Sequence, residues 1–572
     1  METDILRESA SEEKRPEGEQ EGQARASSRG RSGLRIVAGT RRALIPLVAG
    51  LLGSLAAILV MGVLRLTVGA PTLPELLAER VLLLLPASTF VDLLVRFQPN
   101  SKSAPLGLTL LGQFALGIML GPAIAWASGS LERPQGFWPR HRAWAVAMGL
   151  VALMEGLALA LFWPVLDSGL VGDPPAIARL IASLTMLVTF LAFVMVFTLA
   201  NHWLHLAWSI QPTMPATGQK AKQSEESAAA VIPVGQAISR RTALGAAGAV
   251  VLAVAAGGLG IEQLISGYFA RSNLSYEGME TGDLSPITPT QHFYVVSKNV
   301  LDPQVEIGRW QLEVTGLVNQ PKTWSYAQVR ALPSETRVVT FECIANHVGG
   351  HLISTAEWKG VLLQTVLAEA GGVQPTGKYI IFTSVDGYQY SLALADLLEA
   401  HAFLAWQMNG EPLPQRHGFP LRAVVPGRYG EQSAKWLTRI EVVDQPYTGG
   451  LYQSQGWSSA PLHTMSRIDQ PAGRVQRGAL TVAGIAFAGI RGIQQVEVSA
   501  DNGLTWHAAT LRPPLSEQSW VFWAWPWAPP GPGTYTLLAR ATDGTGAVQT
   551  EAQQGTVPAG ATGWPHVTVQ VV

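Results

Sequence analysis

MNGEPLPQRHGFPLRAVVPGRYGEQSAKWL, residues 408–437, is the stretch on which this chain's fold and chemistry turn. Gly410, Gly418, Gly427 and Gly430 alternate with Pro412, Pro414, Pro420 and Pro426. Loops of this composition let backbone N–H groups approach a ligand closely. His417, Arg422 and Lys435 add three cationic or hydrogen-bonding side chains to those loops. Such a set suits an anion, phosphate for example. By residue type alone, a solvated basic surface loop is an equal alternative.

Upstream, Thr340-Phe341-Glu342-Cys343-Ile344-Ala345-Asn346-His347 follows a strand-like run and puts a thiol at the strand-to-loop edge. Cys343 is the single cysteine of the 572 residues. An intramolecular disulfide, a multi-cysteine zinc site and a four-cysteine iron–sulfur cluster are therefore excluded. Taken by itself, a lone thiol is either inert packing or a soft ligand for a transition metal.

Composition divides the chain. Charged residues make up 14% of it, against about 25% in ordinary soluble domains, and the net charge of −1 gives no support to nucleic-acid binding. Residues 1–42 form a basic tail without apolar periodicity, carrying Arg7, Lys14, Arg15, Arg25, Arg29, Arg31, Arg35, Arg41 and Arg42. Four stretches follow that are long enough to span about 30 Å of hydrocarbon: approximately Ala43–Gly69, Pro105–Ser128, Ala143–Leu166 and Ile177–Trp208. Arg65 and Arg179 lie near the ends of two of them, where they can snorkel. Val81–Val95, interrupted by Pro86 and Asp92, reads as interfacial or re-entrant, with a further span as the alternative. Basic residues concentrate in the tail, in the loop Gly129–Arg142 and in Ser209–Arg241, so these are expected on the cytoplasmic side. His141, His202 and His205 fit headgroup contacts better than haem ligation, which makes this half an anchor.

Ser239-Arg240-Arg241-Thr242-Ala243-Leu244, followed by a soft Gly/Ala-rich run, looks like a twin-arginine export signal set in mid-chain. A fifth span with a basic flank, over 239–265, is the plainer alternative. Either reading sends the chain beyond the 266–284 linker out of the cytoplasm.

The remainder alternates short strand-like runs with turns at Asp386-Gly387, Asn409-Gly410, Asn502-Gly503 and Asp543-Gly544. Helices are expected over Leu362–Ala370 and Leu392–Ala400. A boundary is expected around Gln470–Gly478. Beyond it, Ile493–Ser499 and Trp506–Leu511 should form a hairpin, with Ser519–Trp525 and Thr534–Asp543 as further strands of an immunoglobulin-like sandwich.

The 408–437 block, with Cys343 and Trp358-Lys359-Gly360-Val361-Leu362 ahead of it, resembles the molybdopterin domain of the sulfite oxidase family. The His417–Arg422 and Lys435–Leu437 runs carry that resemblance most specifically. Val496–Ser499, Asp501, Gly503, Trp506, Arg540-Ala541, Asp543 and Gln549 resemble the family's dimerisation domain. The fold class implied is a helical transmembrane bundle, an α+β molybdopterin domain over 285–460 and an immunoglobulin-like dimerisation-type domain over 471–572. The resemblance implies a molybdenum–molybdopterin cofactor, with Cys343 as the thiolate that binds the metal. His417, Arg422 and Lys435 would hold the pterin and its phosphate, and Gln432 and Ser433 would add polar contacts. Asn346 lies in the Cys loop, Asp386 matches a pterin-region acid, and Ser297 and Asn299 fall in the first cofactor strand.

Two departures bear on substrate. Where sulfite oxidases carry arginines for an oxyanion, this chain has His347 after the Cys loop and Lys298 in the first cofactor strand. Tyr452, ahead of Gly456-Trp457, stands in for the expected active-site tyrosine. The implied activity is two-electron oxygen-atom transfer on a small, sulfur-containing substrate, with electrons passed to a quinone or a cytochrome. Lipid bilayer and a homodimer complete the expected partners. The alternative is an anchored module that keeps the fold for binding or adhesion.

Overall fold

The computed structural model describes residues 44–86, 89, 103–127, 141–166, 175–209, 285–299, 302–303 and 305–572. Four of its helices are long and apolar enough to cross a membrane: Leu44–Val68, Thr109–Ala127, His141–Val165 and Ala176–Leu206. Each overlaps one of the expected spans. The twin-arginine-like stretch 239–265 and the basic tail lie outside the described residues.

Leu73–Leu84 is a separate helix that begins well before the expected re-entrant stretch. Its start is written in the sequence Thr-x-x-Glu: the Glu75 N–H donates to Thr72 Oγ1, and the Thr72 N–H donates to Glu75 Oε2 at 2.6 Å. Arg65 is paired with Glu75 at 3.2 Å, and Arg179 lies over the Trp163 ring at 5.2 Å. Both arginines thus find protein partners rather than relying on headgroups alone. A further charge, Glu155, lies inside His141–Phe162, so the spans are less purely apolar than their ends suggest.

Small residues let three of these helices touch backbone to backbone. A Cβ on Gly50 would stand 2.6 Å from the Gly117 carbonyl, and one on Gly53 would stand 2.9 Å from the Phe193 carbonyl. Such close van der Waals contact is what small residues at a helix interface permit.

From residue 285 the chain builds two β-rich domains. In the first, one sheet runs in the order Lys322–Ser325, Gln311–Gly316, Leu437–Val443, Tyr379–Ser384, Gln389–Ala393. Its Gln311–Gly316 and Leu437–Val443 pair is parallel, so a long crossover separates them and carries most of the site. The second sheet runs Glu335–Glu342, Ile353–Leu362, Phe403–Met408, Glu411–Pro412, with Arg422–Val424 added against Phe403–Met408. The short helices Leu363–Glu369 and Leu394–Glu399 fall within the expected segments. Asn409 and Gly410 both have positive φ, as a two-residue hairpin turn requires.

The second domain has two sheets. One runs Met465–Gln470, Leu480–Phe487, Val521–Trp527, Thr510–Leu511; the other runs Gly473–Val475, His566–Val571, Gly533–Asp543, Ile493–Ser499, His507–Ala508. Two sequence expectations change here. The Gln470–Gly478 stretch lies inside this domain, because Met465–Gln470 already pairs with Leu480–Phe487. The hairpin partner 506–511 is split: His507–Ala508 pairs with Ile493–Ser499, but Thr510–Leu511 pairs with Val521–Trp527. One short strand therefore crosses from sheet to sheet, which no local periodicity announces. Trp523 and Trp527 fill the space between the sheets together with Val482, Val496, Leu537 and Val569.

The two domains share a core. Phe341 and Trp358 of the first cluster with Ile485, Phe487 and Trp520 of the second. The Trp520 N–H donates to Thr340 Oγ1 at 2.9 Å, and the Thr340 N–H donates to the Gln518 carbonyl at 3.0 Å. These contacts brace the strand that ends at Cys343.

Candidate functional site

Cys343 follows directly on the strand Glu335–Glu342, whose last four residues are all buried. Its N–H donates to the Leu352 carbonyl at 2.9 Å. Asn346 closes the loop behind it: Nδ2 donates to Glu342 Oε1 at 3.0 Å, and Oδ1 accepts from the Leu352 N–H at 3.0 Å. Asn346 therefore shapes the thiol loop from beneath and is absent from the cavity wall.

That wall encloses about 880 Å³ of empty space, its open mouth included, and brings together segments far apart in sequence. Ser297, Cys343, Asp386, His417, Arg422, Ser433, Lys435 and Tyr452 all line it. Of the other expected residues, Asn299 lies one step back and donates to Asp386 Oδ2 at 2.7 Å. Gln432 is buried behind the wall, with its amide near the Ser458 carbonyl at 3.4 Å. His347 is exposed and does not line the cavity, because the turn after Asn346 carries it outward.

Along that wall the loops of the quoted block fold over each other. Gly418, with φ +112°, is needed there, since a Cβ would press on the Cβ atoms of Arg422 and Lys435 at 3.0 Å. The Arg422 guanidinium donates to the His417 carbonyl at 3.0 Å and the Ser433 carbonyl at 3.2 Å. It also lies 4.7 Å above the Phe341 ring and 5.1 Å above Trp358. Ser433 Oγ accepts from the Val425 N–H at 3.0 Å. Lys435 Nζ donates to the Arg416 carbonyl at 3.1 Å. Burial and the surrounding cations Arg422, Arg416 and Lys435 push the His417 pKa well below its ordinary value, so the ring is neutral at pH 7.

The same wall also carries groups of another kind. Glu431, Tyr294, Tyr452 and Trp457 line it together with Cys343, with Tyr452 stacked on Trp457 at 4.2 Å. Tyr388 Oη donates to the Glu431 carbonyl at 2.6 Å, which fixes the backbone there. Glu431 is half-buried as a residue, but both its carboxylate oxygens are buried and lack a well-aligned hydrogen bond. Burial pushes its pKa up to about 8, against a partial pull from the nearby Gln432 and Ile344 groups. Burial likewise lifts Glu342 to about 7. Burial first, then Glu431, pushes the Cys343 thiol above its usual range. An unaided thiol in this setting stays protonated and is a poor nucleophile; a metal ion would be needed to hold it as thiolate.

Sequence reasoning passed over Tyr294, Tyr388, Arg416 and Glu431 as wall residues. Glu431 was visible as an isolated acid within a basic block. Arg416 stood beside His417 in the same block, whereas Tyr294 and Tyr388 had no signal, since only the tertiary approach of 293–298 and 384–388 brings them to the wall.

The lining fits a phosphorylated heterocycle bearing a soft metal. His417 Nε2, Ser384 Oγ and Trp457 Nε1 are buried polar atoms on the wall without a partner in the protein. Cationic side chains and the sole thiol share that wall.

Comparison with known proteins agrees with that chemistry. Residues 299–451 match the oxidoreductase molybdopterin-binding domain, and residues 463–571 match the Mo-co oxidoreductase dimerisation domain. The mitochondrial sulfite oxidase of Homo sapiens is 33% identical over 286 residues, which is 41% of this chain and 52% of that protein. That of Drosophila melanogaster is 30% identical over 287 residues, 41% of this chain and 50% of that protein. Nitrate reductase [NADH] 2 of Phaseolus vulgaris is 28% identical over 300 residues, 42% of this chain and 33% of that protein. The chain spans about half the length of these two mitochondrial sulfite oxidases.

Proposed function

With residues 299–451 matching an oxidoreductase molybdopterin-binding domain and residues 463–571 a Mo-co oxidoreductase dimerisation domain, we propose that the whole chain is a membrane-anchored enzyme of the sulfite oxidase type that moves an oxygen atom to or from a small, sulfur-containing substrate outside the cytoplasm. The single observation that carries this reading is the thiol of Cys343 on the same cavity wall as His417, Arg422, Ser433 and Lys435, up to 92 positions away in sequence.

Bound in this cavity, a molybdenum–molybdopterin cofactor would supply two-electron oxygen-atom transfer: substrate plus water gives oxidised substrate, two protons and two electrons, or the reverse. Cys343 would ligate the metal as thiolate. Neutral His417 offers its unpartnered Nε2 to the pterin, and Lys435, Arg416 and Arg422 supply positive charge for the phosphate. Asp386 holds Lys298 at 3.4 Å and Asn299 at 2.7 Å, which orients the first cofactor strand. Tyr452 and Trp457 narrow the cavity and exclude water from it. The carboxyl of Glu431, on the same wall, is a group able to take up or give back a proton. The four apolar helices serve as the anchor, the second domain as an immunoglobulin-like dimerisation module, and Ser239–Leu244 as the export signal; a quinone or a cytochrome accepts the electrons.

The test is molybdenum and pterin content of the full chain purified from cofactor-competent cells, beside Cys343→Ser. Near-stoichiometric metal is expected in the parent. The variant should lose more than about 100-fold in turnover with an artificial electron carrier, beyond what outer-shell partners of a metal cost. A metal-free, pterin-free parent would defeat the enzyme reading.

A further inference from the structure

Residues 444–464 join the two β-rich domains, running from the strand Leu437–Val443 to the strand Met465–Gln470. Two wall residues of the cavity, Tyr452 and Trp457, belong to this connection. It adds no strand to the sheets of either domain, so single contacts must hold it in place. The element it lies against is Gln389–Ala393, the strand that ends the five-stranded sheet of the first domain. An edge strand turns a row of backbone N–H and C=O groups away from its sheet, and those that are buried need partners.

At Ser391, which is buried, one side chain meets that need. The Ser391 N–H donates to Gln453 Oε1 at 2.8 Å, and Gln453 Nε2 donates to the Ser391 carbonyl at 2.9 Å. A glutamine amide offers the same donor and acceptor as a peptide unit, so Gln453 stands in for one residue of a neighbouring strand. The backbone around it is left free to turn. Gln453–Gln455 is a single turn of 3-10 helix, Gly456 reverses the chain at φ +80°, and the Trp457 N–H donates to the Tyr452 carbonyl at 3.2 Å. That turn sets the Tyr452 and Trp457 rings face to face, with centres 4.2 Å apart.

The fit continues on both sides of the turn. Upstream, Gly450 lies so near the edge strand that a Cβ there would stand 2.4 Å from the Gln389 carbonyl oxygen. Downstream, the Ser458 carbonyl accepts from Tyr390 Oη at 3.3 Å, and the Ser458 N–H donates to the Pro558 carbonyl of the second domain at 2.8 Å.

The geometry points to Gln453 as a positioning residue: it clasps the interdomain connection to the edge strand and so keeps Tyr452 and Trp457 on the cavity wall. Gln453 is itself absent from that wall and acts through these two neighbours. Its effect on turnover rests on the proposed oxidoreductase reading; the clasp does not. Two neutral hydrogen bonds at their usual net worth favour the closed connection by a factor of about ten or more.

Hydrogen exchange followed by mass spectrometry on the full-length chain tests the clasp, because the Ser391 amide exchanges when its bond to Gln453 opens. In Gln453→Ala, that amide, followed in a peptide over residues 386–394, should exchange at least about ten-fold faster than in the parent, and the amides of 452–458 should follow. Gln453→Glu keeps an acceptor for the Ser391 N–H, has no donor for its carbonyl, and should fall between the two. Gln455→Ala, exposed in the same turn, should exchange as the parent does. On the same preparations, with molybdenum content measured first, turnover is followed with sulfite and ferricyanide and with dimethyl sulfoxide and reduced viologen. In Gln453→Ala kcat/KM should fall at least about ten-fold, the loss expected of misplaced wall groups, at unchanged metal content and melting temperature.

A Gln453→Ala chain that exchanges like the parent overturns the inference. So does faster exchange throughout the domain, or an equal effect in Gln455→Ala. Faster exchange at Ser391 with kcat/KM unchanged overturns the positioning role. A metal-free parent strikes at the oxidoreductase reading alone, since the exchange comparison needs no cofactor and still decides the clasp.

Discussion

Glu431 shows how far a neighbourhood can move one side chain. Its carboxyl titrates near 4.5 in solvent and is pushed up to about 8 by burial in the folded chain. Between those values the folded state keeps a proton that the unfolded state has released, so stability falls as pH rises through that window. Glu431→Gln removes the linkage. Relative to the parent, the variant should gain stability on the order of a few kcal/mol at pH 8 and little at pH 4.5. Unfolding midpoints followed by tryptophan fluorescence across this range check it; parallel pH curves for the two proteins would contradict it. His417 works in the opposite direction. Its depressed pKa means that stability is present above its ordinary value of 6.5 and is lost as pH falls below it. A role for His417 as a cationic or hydrogen-bonding group was legible from its place among Gly and Pro, but its neutrality was not, because that comes from burial and from Arg422, Arg416 and Lys435 folding around it.

At the scale of elements, the apolar helices were readable from length and lack of charge, and their close contacts were not. Gly50, Gly53 and Gly117 look like ordinary weak spots in a helix, yet backbone atoms, the Phe193 ring or, at Gly117, the Ser54 hydroxyl of a neighbouring helix occupy the space a side chain would need. Gly117→Leu should therefore cost about 1–3 kcal/mol by overpacking and lower the thermal aggregation temperature in detergent. Gly62→Leu and Gly149→Leu, where nothing lies within 4 Å of the added Cβ, should leave that temperature unchanged or raise it, since Gly is the weaker helix former. Equal effects at all three positions would dissolve the packing account. The split of 506–511 between two sheets is the counterpart among strands. Its alternation suits either sheet, and only the pairing of Thr510–Leu511 with Val521–Trp527 decides the outcome.

On the scale of the molecule beyond residue 285, the thiol strand is held in place by the domain that follows it. Arg467 and Asp469 form an ion pair of 2.6 Å with side chains 2% and 3% exposed, and Arg467 also donates to the Gly350 carbonyl at 3.3 Å. Gly350 belongs to the loop that follows Cys343. Removing one partner leaves a buried charge uncompensated, at about 3–5 kcal/mol, whereas replacing both with apolar residues is often neutral. Arg467→Met alone should thus destabilise strongly and lower cofactor retention, and Arg467→Met with Asp469→Leu should recover most of the stability. Denaturant midpoints and molybdenum content measure both. If the double variant were no better than the single one, the pair would owe its worth to something other than charge compensation.

By itself the sequence determined the four long apolar helices, the two β-rich domains, the residue types of the cavity and the thiol as its candidate ligand. Each of these depends on hydrophobic length, on turn chemistry or on a contiguous motif, all of which are local in the chain. Tertiary structure alone decided that His347 faces solvent, that Asn346 and Asn299 brace from behind, and that an acid, Glu431, lines the cavity together with Cys343. Those outcomes depend on how segments tens of residues apart meet around one empty volume, and long-range packing of that kind leaves no periodicity in the chain to be read.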